Sequence, residues 1–148
     1  MSYGVGIVGL GRIAQGHIGA ISKAEGVHLA AVCDLDATRL DRVTKEQNCP
    51  GEPTLERLLA RDDVDIALIL LPHALHEDAT IAAARAGKHV MVEKPMAMEV
   101  EACDRMIDAA SKTGAKLFVA HTERFLSANR KAKELLDAGE VGTPIMAT

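Results

Sequence analysis

The chain has 148 residues, 48% of them hydrophobic, and a formal net charge of −4. That length suits one domain, and that hydrophobic content takes the chain out of the disordered class. The acidic balance and the 2% aromatic content exclude the basic faces and stacking rings on which nucleic-acid binding relies, so no DNA or RNA partner is expected.

The first apolar run is Val5-Gly6-Ile7-Val8-Gly9, followed by a helical pattern with Ile13, His17, Ala20, Ile21 and Ala24 on one face. Leu29–Cys33 is the second run, after which Asp36 can cap a helix carrying Leu40 and Val43. Pro50, Gly51 and Pro53 break the stretch 48–54, so any strand there is short or at an edge. Thr54 can cap a short helix with Leu55, Leu58 and Leu59. Ile66–Leu71 is the most apolar run, and the alanine-rich helix after it stops at Gly87. Val90–Val92 leads to a helix with a stripe of Val100, Cys103, Ile107 and Ala110, ending at Gly114. Leu117–Ala120 is the fifth strong run, and Ser127 opens a last helix that ends before Gly139. The runs are continuous rather than alternating, as in strands buried on both faces. Strand then helix, repeated, predicts an α/β fold: a doubly wound parallel sheet, three-layer αβα, of the Rossmann type. The scarcity of aromatics predicts an aliphatic core.

The three cysteines, Cys33, Cys49 and Cys103, are odd in number and widely spaced, which fits neither a disulfide framework nor a C-x-x-C metal pair. No apolar run approaches the ~18 residues that suggest a membrane span, and no signal-peptide pattern opens the chain. A soluble, cytoplasmic protein with no membrane partner is the expectation.

Gly9-Leu10-Gly11-Arg12-Ile13-Ala14 is a G-x-G-x-x-A run placed between a strand and a helix. Gly9 permits the tight turn, Gly11 lets a pyrophosphate approach the backbone, and Ala14 lets the helix pack closely on the strand. The helix N-terminus, with Arg12 and Ile13, offers N–H groups and a positive dipole end to phosphates. Asp34 closes the second strand 20 residues after Ala14, where a carboxylate accepts hydrogen bonds from the adenosine ribose and repels a 2′-phosphate. No Arg directly follows it, and Arg39 is a turn further on, so NAD is favoured and NADP is less expected. Leu71, Pro72, His73 and His76 lie past the third strong strand, where ligands of open α/β sheets bind. The spacing of His73 and His76 is that of a metal pair, but no carboxylate or Cys partner is evident, and no metal is expected. Glu93-Lys94-Pro95 follows another strand end, where a lysine can donate to a substrate hydroxyl or carbonyl or simply form a turn.

These residues, with His121, Arg124-Phe125 and the run Gly139-Glu-Val-Gly-Thr-Pro144, resemble the N-terminal domain of the glucose–fructose oxidoreductase / inositol dehydrogenase (Gfo/Idh/MocA) family, over essentially the whole chain. The resemblance implies that Lys94 is the substrate-contacting catalytic lysine, that the Lys94–Pro95 bond is cis, that Glu93 and the Pro72–His76 loop line the nicotinamide ribose, and that His121 sits near the same mouth. His73 stands where the family usually has Asn. No role is assigned to Arg124, His17, His28 or His89. The resemblance also implies a second domain. Residues 1–143 are expected to form the dinucleotide-binding domain, with a new strand at Ile145-Met146-Ala147 opening a substrate and oligomerisation domain at 144–148. The implied activity is hydride transfer between nicotinamide and a hydroxyl-bearing carbon of a sugar, cyclitol or related polyol. The isolated chain is expected to bind cofactor with little turnover, and the full-length protein to be a homo-oligomer. A stand-alone NAD-sensing or partner-binding module is the alternative.

Overall fold

The computed structural model describes residues 2–145. β1 (Tyr3–Val8) leads into α1 (Ala14–Ile21), β2 (Val27–Cys33), α2 (Ala37–Gln47), β3 (Gly51–Glu52), α3 (Leu55–Leu59) and β4 (Ile66–Ile69). A 3-10 turn at His73–Leu75 then opens α4 (His76–Arg85), followed by β5 (His89–Val92), α5 (Val100–Thr113) and β6 (Leu117–Val119). A second 3-10 turn, Thr122–Phe125, precedes α6 (Ser127–Asp137). The six strands form one sheet in the order β3-β2-β1-β4-β5-β6, and every neighbouring pair is parallel. The chain reverses direction across the sheet between β1 and β4. In open α/β sheets such a reversal leaves a crevice at the carboxyl ends of the strands.

Alternation along the strands supplies two cores. Ile7 pairs in register with Val32 and Leu68, and these three face α1 and α2 with Leu10, Ala14, Ile18, Leu40 and Val43. One residue on, Val8 pairs with Cys33 and Ile69, and these face α3, α4 and α5 with Leu58, Ala79, Ala83 and Met106. Both faces are covered, which is why the strands read as unbroken apolar runs. The core is aliphatic, as the composition predicts: Tyr3, Phe118 and Phe125 are all exposed.

The caps are where sequence chemistry puts them. The Asp36 side chain accepts from the Arg39 N–H, and that of Thr54 from the Arg57 N–H. α5 ends at Gly114 in the left-handed region. The edge strand β3 is only two residues long, and Arg61 fastens it: its guanidinium donates to Glu52 at 2.9 Å and to Asp63 at 2.7 Å. Arg57 adds a bond to Glu52 at 3.1 Å.

Two expectations are corrected, and a third falls mostly outside the described residues. The face of α1 that meets the core is Ala14 and Ile18, whereas Ile13 is exposed. The stripe on α5 is Ala102, Met106 and Ala110, whereas Val100 is 73% and Ile107 54% exposed. Each helix carries apolar residues beyond the stripe that meets the sheet, although Ala110 and Ile21 of the expected stripes do pack inward. Ile145 is 98% exposed and in no strand, and Met146 and Ala147 of the expected last strand lie outside the described residues.

Thr80 on α4 is fully buried, and among the described residues its hydroxyl has no hydrogen-bond partner. A buried unsatisfied hydroxyl is destabilising, and valine has the same shape without it. Thr80→Val therefore stabilises the fold by about 1 kcal/mol, read as a melting temperature ~2–4 °C higher by calorimetry. Acid acts at the β3 clasp. Arg61 and then Arg57 hold the Glu52 carboxyl below its ordinary value of 4.5, and Arg61 holds that of Asp63 below 3.8. Lowered carboxyl values stabilise the folded state above the ordinary values and lose that stabilisation as pH falls through the folded ones. Urea denaturation from pH 6 down to pH 3 is expected to show stability falling below those values, with a shallower fall in Glu52→Gln.

Candidate functional site

The carboxyl ends of β1, β2, β4 and β5 meet along one edge of the sheet, and the glycine turn lies at its centre. The Gly9 N–H donates to the Cys33 carbonyl at 2.9 Å, which stitches the end of β1 to that of β2. Gly9 has φ +93°, and a Cβ there would lie 2.8 Å from the Leu70 carbonyl oxygen. Both the conformation and the space demand glycine. Gly11 differs: a Cβ there would meet nothing within 4 Å. The protein itself does not require glycine at that position, but a group lying against the backbone would. α1 begins just beyond, with no acidic residue in its first turn, whereas α4 on the same edge carries Glu77 and Asp78. Free N–H groups and an unopposed dipole are the conditions for anion binding.

Asp34 holds this turn. One carboxylate oxygen accepts from the Leu10 N–H at 2.8 Å and the other from the Asp36 N–H at 2.9 Å. The Arg39 guanidinium lies 3.6 Å from the first oxygen and donates to Asp36 at 3.0 Å. The helical turn from Asp36 thus brings Arg39 beside Asp34, although it is five residues away in sequence. Arg12, Arg39 and Arg42, with Leu10, Gly11, Gln15, Asp36 and Thr38, line a cleft of ≈ 520 Å³. It is a cationic hollow on a chain of net negative charge, which favours a polyphosphate. Below it, burial and then the Asp34 charge push the Cys33 thiol up to about 11, which keeps it protonated and unreactive.

A second cleft of ≈ 660 Å³ adjoins the first and shares Arg12 with it. Ile13, Gly16, His17 and Ala20 of the α1 region form one wall, and Leu71, His73, Glu93, Lys94 and Thr122 the other. Ile13, His17 and Ala20 of the α1 side expected to be buried therefore form a cleft wall, whereas Ile21 of that side packs against the core. Lys94 is exposed there, and the Lys94–Pro95 peptide is cis. Glu93 is 9% exposed; its carboxylate accepts from the Lys94 N–H at 2.9 Å and from His17 Nε2 at 3.0 Å.

The structure brings Gly11 and Arg12 to one end of this double cleft, with Gly9 and Asp34 holding the turn behind them, and Ile13, Leu71, His73, Glu93 and Lys94 to the other. Pro72 supports the turn beside them, its carbonyl accepting from the Leu75 N–H at 2.9 Å. His76 does not face the cleft. It is fully buried, and its Nδ1 and Nε2 each lie 2.9 Å from a carbonyl oxygen, of Pro95 and Leu71 respectively. A neutral ring donates to one of them, an imidazolium to both. His76 is a brace between two loops, and its expected contact with a cofactor is corrected accordingly. His121 precedes the second 3-10 turn, and its neighbour Thr122 reaches the cleft wall. Sequence reading gave no role to His17 and did not mark Gln15, Thr38 or Arg42. Histidine at the third position after Ala14 was the available signal for the first. Among the described residues no cluster of three or more metal-ligating side chains exists.

A parallel sheet of this order, with a glycine turn, an open backbone cradle and an acid at the end of the second strand, defines a dinucleotide-binding Rossmann domain. Residues 3–121 match the Gfo/Idh/MocA model, described as an oxidoreductase family with an NAD-binding Rossmann fold, and the chain belongs to that family. It is 38% identical over 149 residues to inositol 2-dehydrogenase 3 of Saccharopolyspora erythraea, covering 99% of this chain and 44% of that protein. Among solved structures it is similar to the WlbA dehydrogenase from Bordetella pertussis in complex with NADH and UDP-GlcNAcA (31% identity, TM-score 0.90, 96% of this chain and 44% of that one). It is similar also to scyllo-inositol dehydrogenase from Lactobacillus casei with bound NAD(H) and scyllo-inositol (29% identity, TM-score 0.88, 96% and 43%). The chain thus spans less than half the length of these relatives.

The contrast between the two glycines is testable. Gly11→Ala is expected to leave the melting temperature within about 1 °C of wild type, because the new methyl meets open space. The same methyl stands where a pyrophosphate would lie, so titration calorimetry with NADH should show affinity reduced at least ~10-fold. Gly9→Ala, by contrast, should lower the melting temperature itself.

Proposed function

We propose that this chain is the cofactor-holding part of a dehydrogenase that moves a hydride between nicotinamide and a hydroxyl-bearing carbon of a sugar, cyclitol or related polyol. The double cleft carries the reading: a cationic end with an open backbone cradle, and a far end where Lys94 is exposed. The dinucleotide fits the residues present. The open face of Gly11 and the α1 N-terminus take the pyrophosphate, Arg12 bridges the two ends, and Asp34 takes the adenosine ribose. When bound, the nicotinamide accepts or returns the hydride. The work of the chain is positioning and polarisation. Leu71, His73 and Glu93 line the nicotinamide half, and Lys94 donates to the reacting oxygen of the substrate, favouring its alkoxide character.

The remainder of the reading follows from what the cleft lacks. Lys94 lies at an open mouth, and residues 121–145 expose Phe125, Leu126, Leu136, Val141 and Ile145. An apolar surface of this kind suits a contact with a second, substrate-holding domain that begins at residue 144. That domain supplies the general base, and the chain alone turns over little. The full-length protein is a homo-oligomer. The cytoplasm suits Cys33, Cys49 and Cys103, all of which are free thiols.

Cofactor choice tests the reading. NADH is expected to bind this chain more tightly than NADPH in calorimetric titration. Asp34→Asn keeps the shape and removes the charge, so it should shrink that preference at least ~10-fold. Arg39→Ala removes the cation nearest Asp34 and should weaken NADPH more than NADH. Binding of neither dinucleotide, or an unchanged preference in Asp34→Asn, would overturn the assignment.

A further inference from the structure

Glu93 sits at the junction of the cofactor cradle and the Lys94 loop. It is the residue after β5, its N–H donates to the Ile69 carbonyl at 3.0 Å, and its side chain is nearly buried. Burying a carboxylate is costly unless its oxygens are satisfied. Among the described residues it has two side-chain partners, one to each oxygen: His17 Nε2–H at 3.0 Å and the Lys94 backbone N–H at 2.9 Å. His17 itself is mostly covered, with 14% of its side chain exposed. It rides on α1, one turn after Ala14, so it is rigidly joined to the glycine turn and 76 residues from its partner in sequence.

We propose that His17 is a positioning residue: through Glu93 it ties the helix that cradles the pyrophosphate to the backbone of Lys94, and so sets the distance between the cofactor and the lysine. The proposal rests on the cofactor reading above for what the tie is for, but not for the tie itself. The chemistry requires a donor at the His17 position. Without one, the Glu93 oxygen that faces His17 loses its partner. The carboxylate then turns toward the open cleft, and its hold on the Lys94 N–H is lost. The other side of the loop is held separately, since His76 meets the Pro95 carbonyl. Loss of His17 therefore loosens Lys94 without unfolding the loop. Arg12 and His73 line the same cleft, but neither is bonded to Glu93. Glutamine carries an N–H donor at a reach similar to that of histidine Nε2, and alanine carries none.

The test uses the whole chain as wild type, His17→Ala and His17→Gln, with two independent readouts. The first is the Lys94 amide by nuclear magnetic resonance. His17→Ala is expected to move its proton upfield and to raise its exchange rate at least ~10-fold, and His17→Gln to restore most of both. The second is affinity for NADH against ADP-ribose, which lacks the nicotinamide. His17→Ala should weaken NADH several-fold and leave ADP-ribose unchanged, because the cradle itself is intact. A Lys94 amide unmoved in the alanine variant overturns the tie, and so does a disturbance that glutamine fails to repair. Equal losses of NADH and ADP-ribose overturn the claim that the tie acts at the lysine end. If wild type binds neither ligand, the cofactor reading falls, while the amide measurement still decides the tie.

Discussion

The fold and the site both hang on one carboxylate. Asp34 accepts from the Leu10 N–H and the Asp36 N–H, so it fixes the glycine turn, the end of β2 and the start of α2 relative to one another. The glycine turn, 24 residues away in sequence, and the β2–α2 junction converge on two oxygen atoms. A side chain so placed cannot be exchanged freely, because its two hydrogen bonds shape the turn that lines the cleft. The hydrogen bonds to backbone N–H groups keep the carboxylate in one orientation. Arg39, drawn in by the Asp36 cap, then tempers the charge that Asp34 presents.

The architecture explains how so small a set of residues lines two adjoining clefts. Parallel strands deliver every strand-to-helix turn to the same edge of the sheet. The reversal between β1 and β4 parts the turns on either side and leaves the crevice open. The turn after β1 lines the cationic cleft, and the turns after β4 and β5 line the cleft where Lys94 is exposed. Two histidines finish the second half. His17 reaches across from α1, and His76 braces the loop from behind. Neither is chemically exotic. Their value lies in making loop backbone, which is otherwise pliable, behave as part of the scaffold.

Much of this was legible in the residues. Strands buried on both faces announce themselves as unbroken apolar runs, and caps such as Asp36, Thr54 and Gly114 act through bonds a few residues long. The Gly9–Ala14 run and Asp34 are likewise local signals. What was not legible involves two stripes on one helix or partners far apart in sequence. On α1 the row Ile13, His17, Ala20 looked like a core stripe and lines the cleft, because Ala14 and Ile18 one position on were the ones facing the sheet. His17 carries no mark of Glu93, 76 residues away. His76 looked like a ligand because it follows a strand end, but its ring turned inward to carbonyls that only the folded chain brings together.

The distribution of burial along the chain has a consequence for how the molecule comes into being. Among the described residues the last member of the core is Ala120, and α6 contributes none. Apart from Thr122, every residue lining the two clefts also precedes that point. Chains are made from the amino end, and domains generally fold in that order. By the time Ala120 has left the ribosome tunnel, the nascent polypeptide carries a complete interior and nearly all of its nucleotide cleft. The segment that follows is born onto a surface already formed.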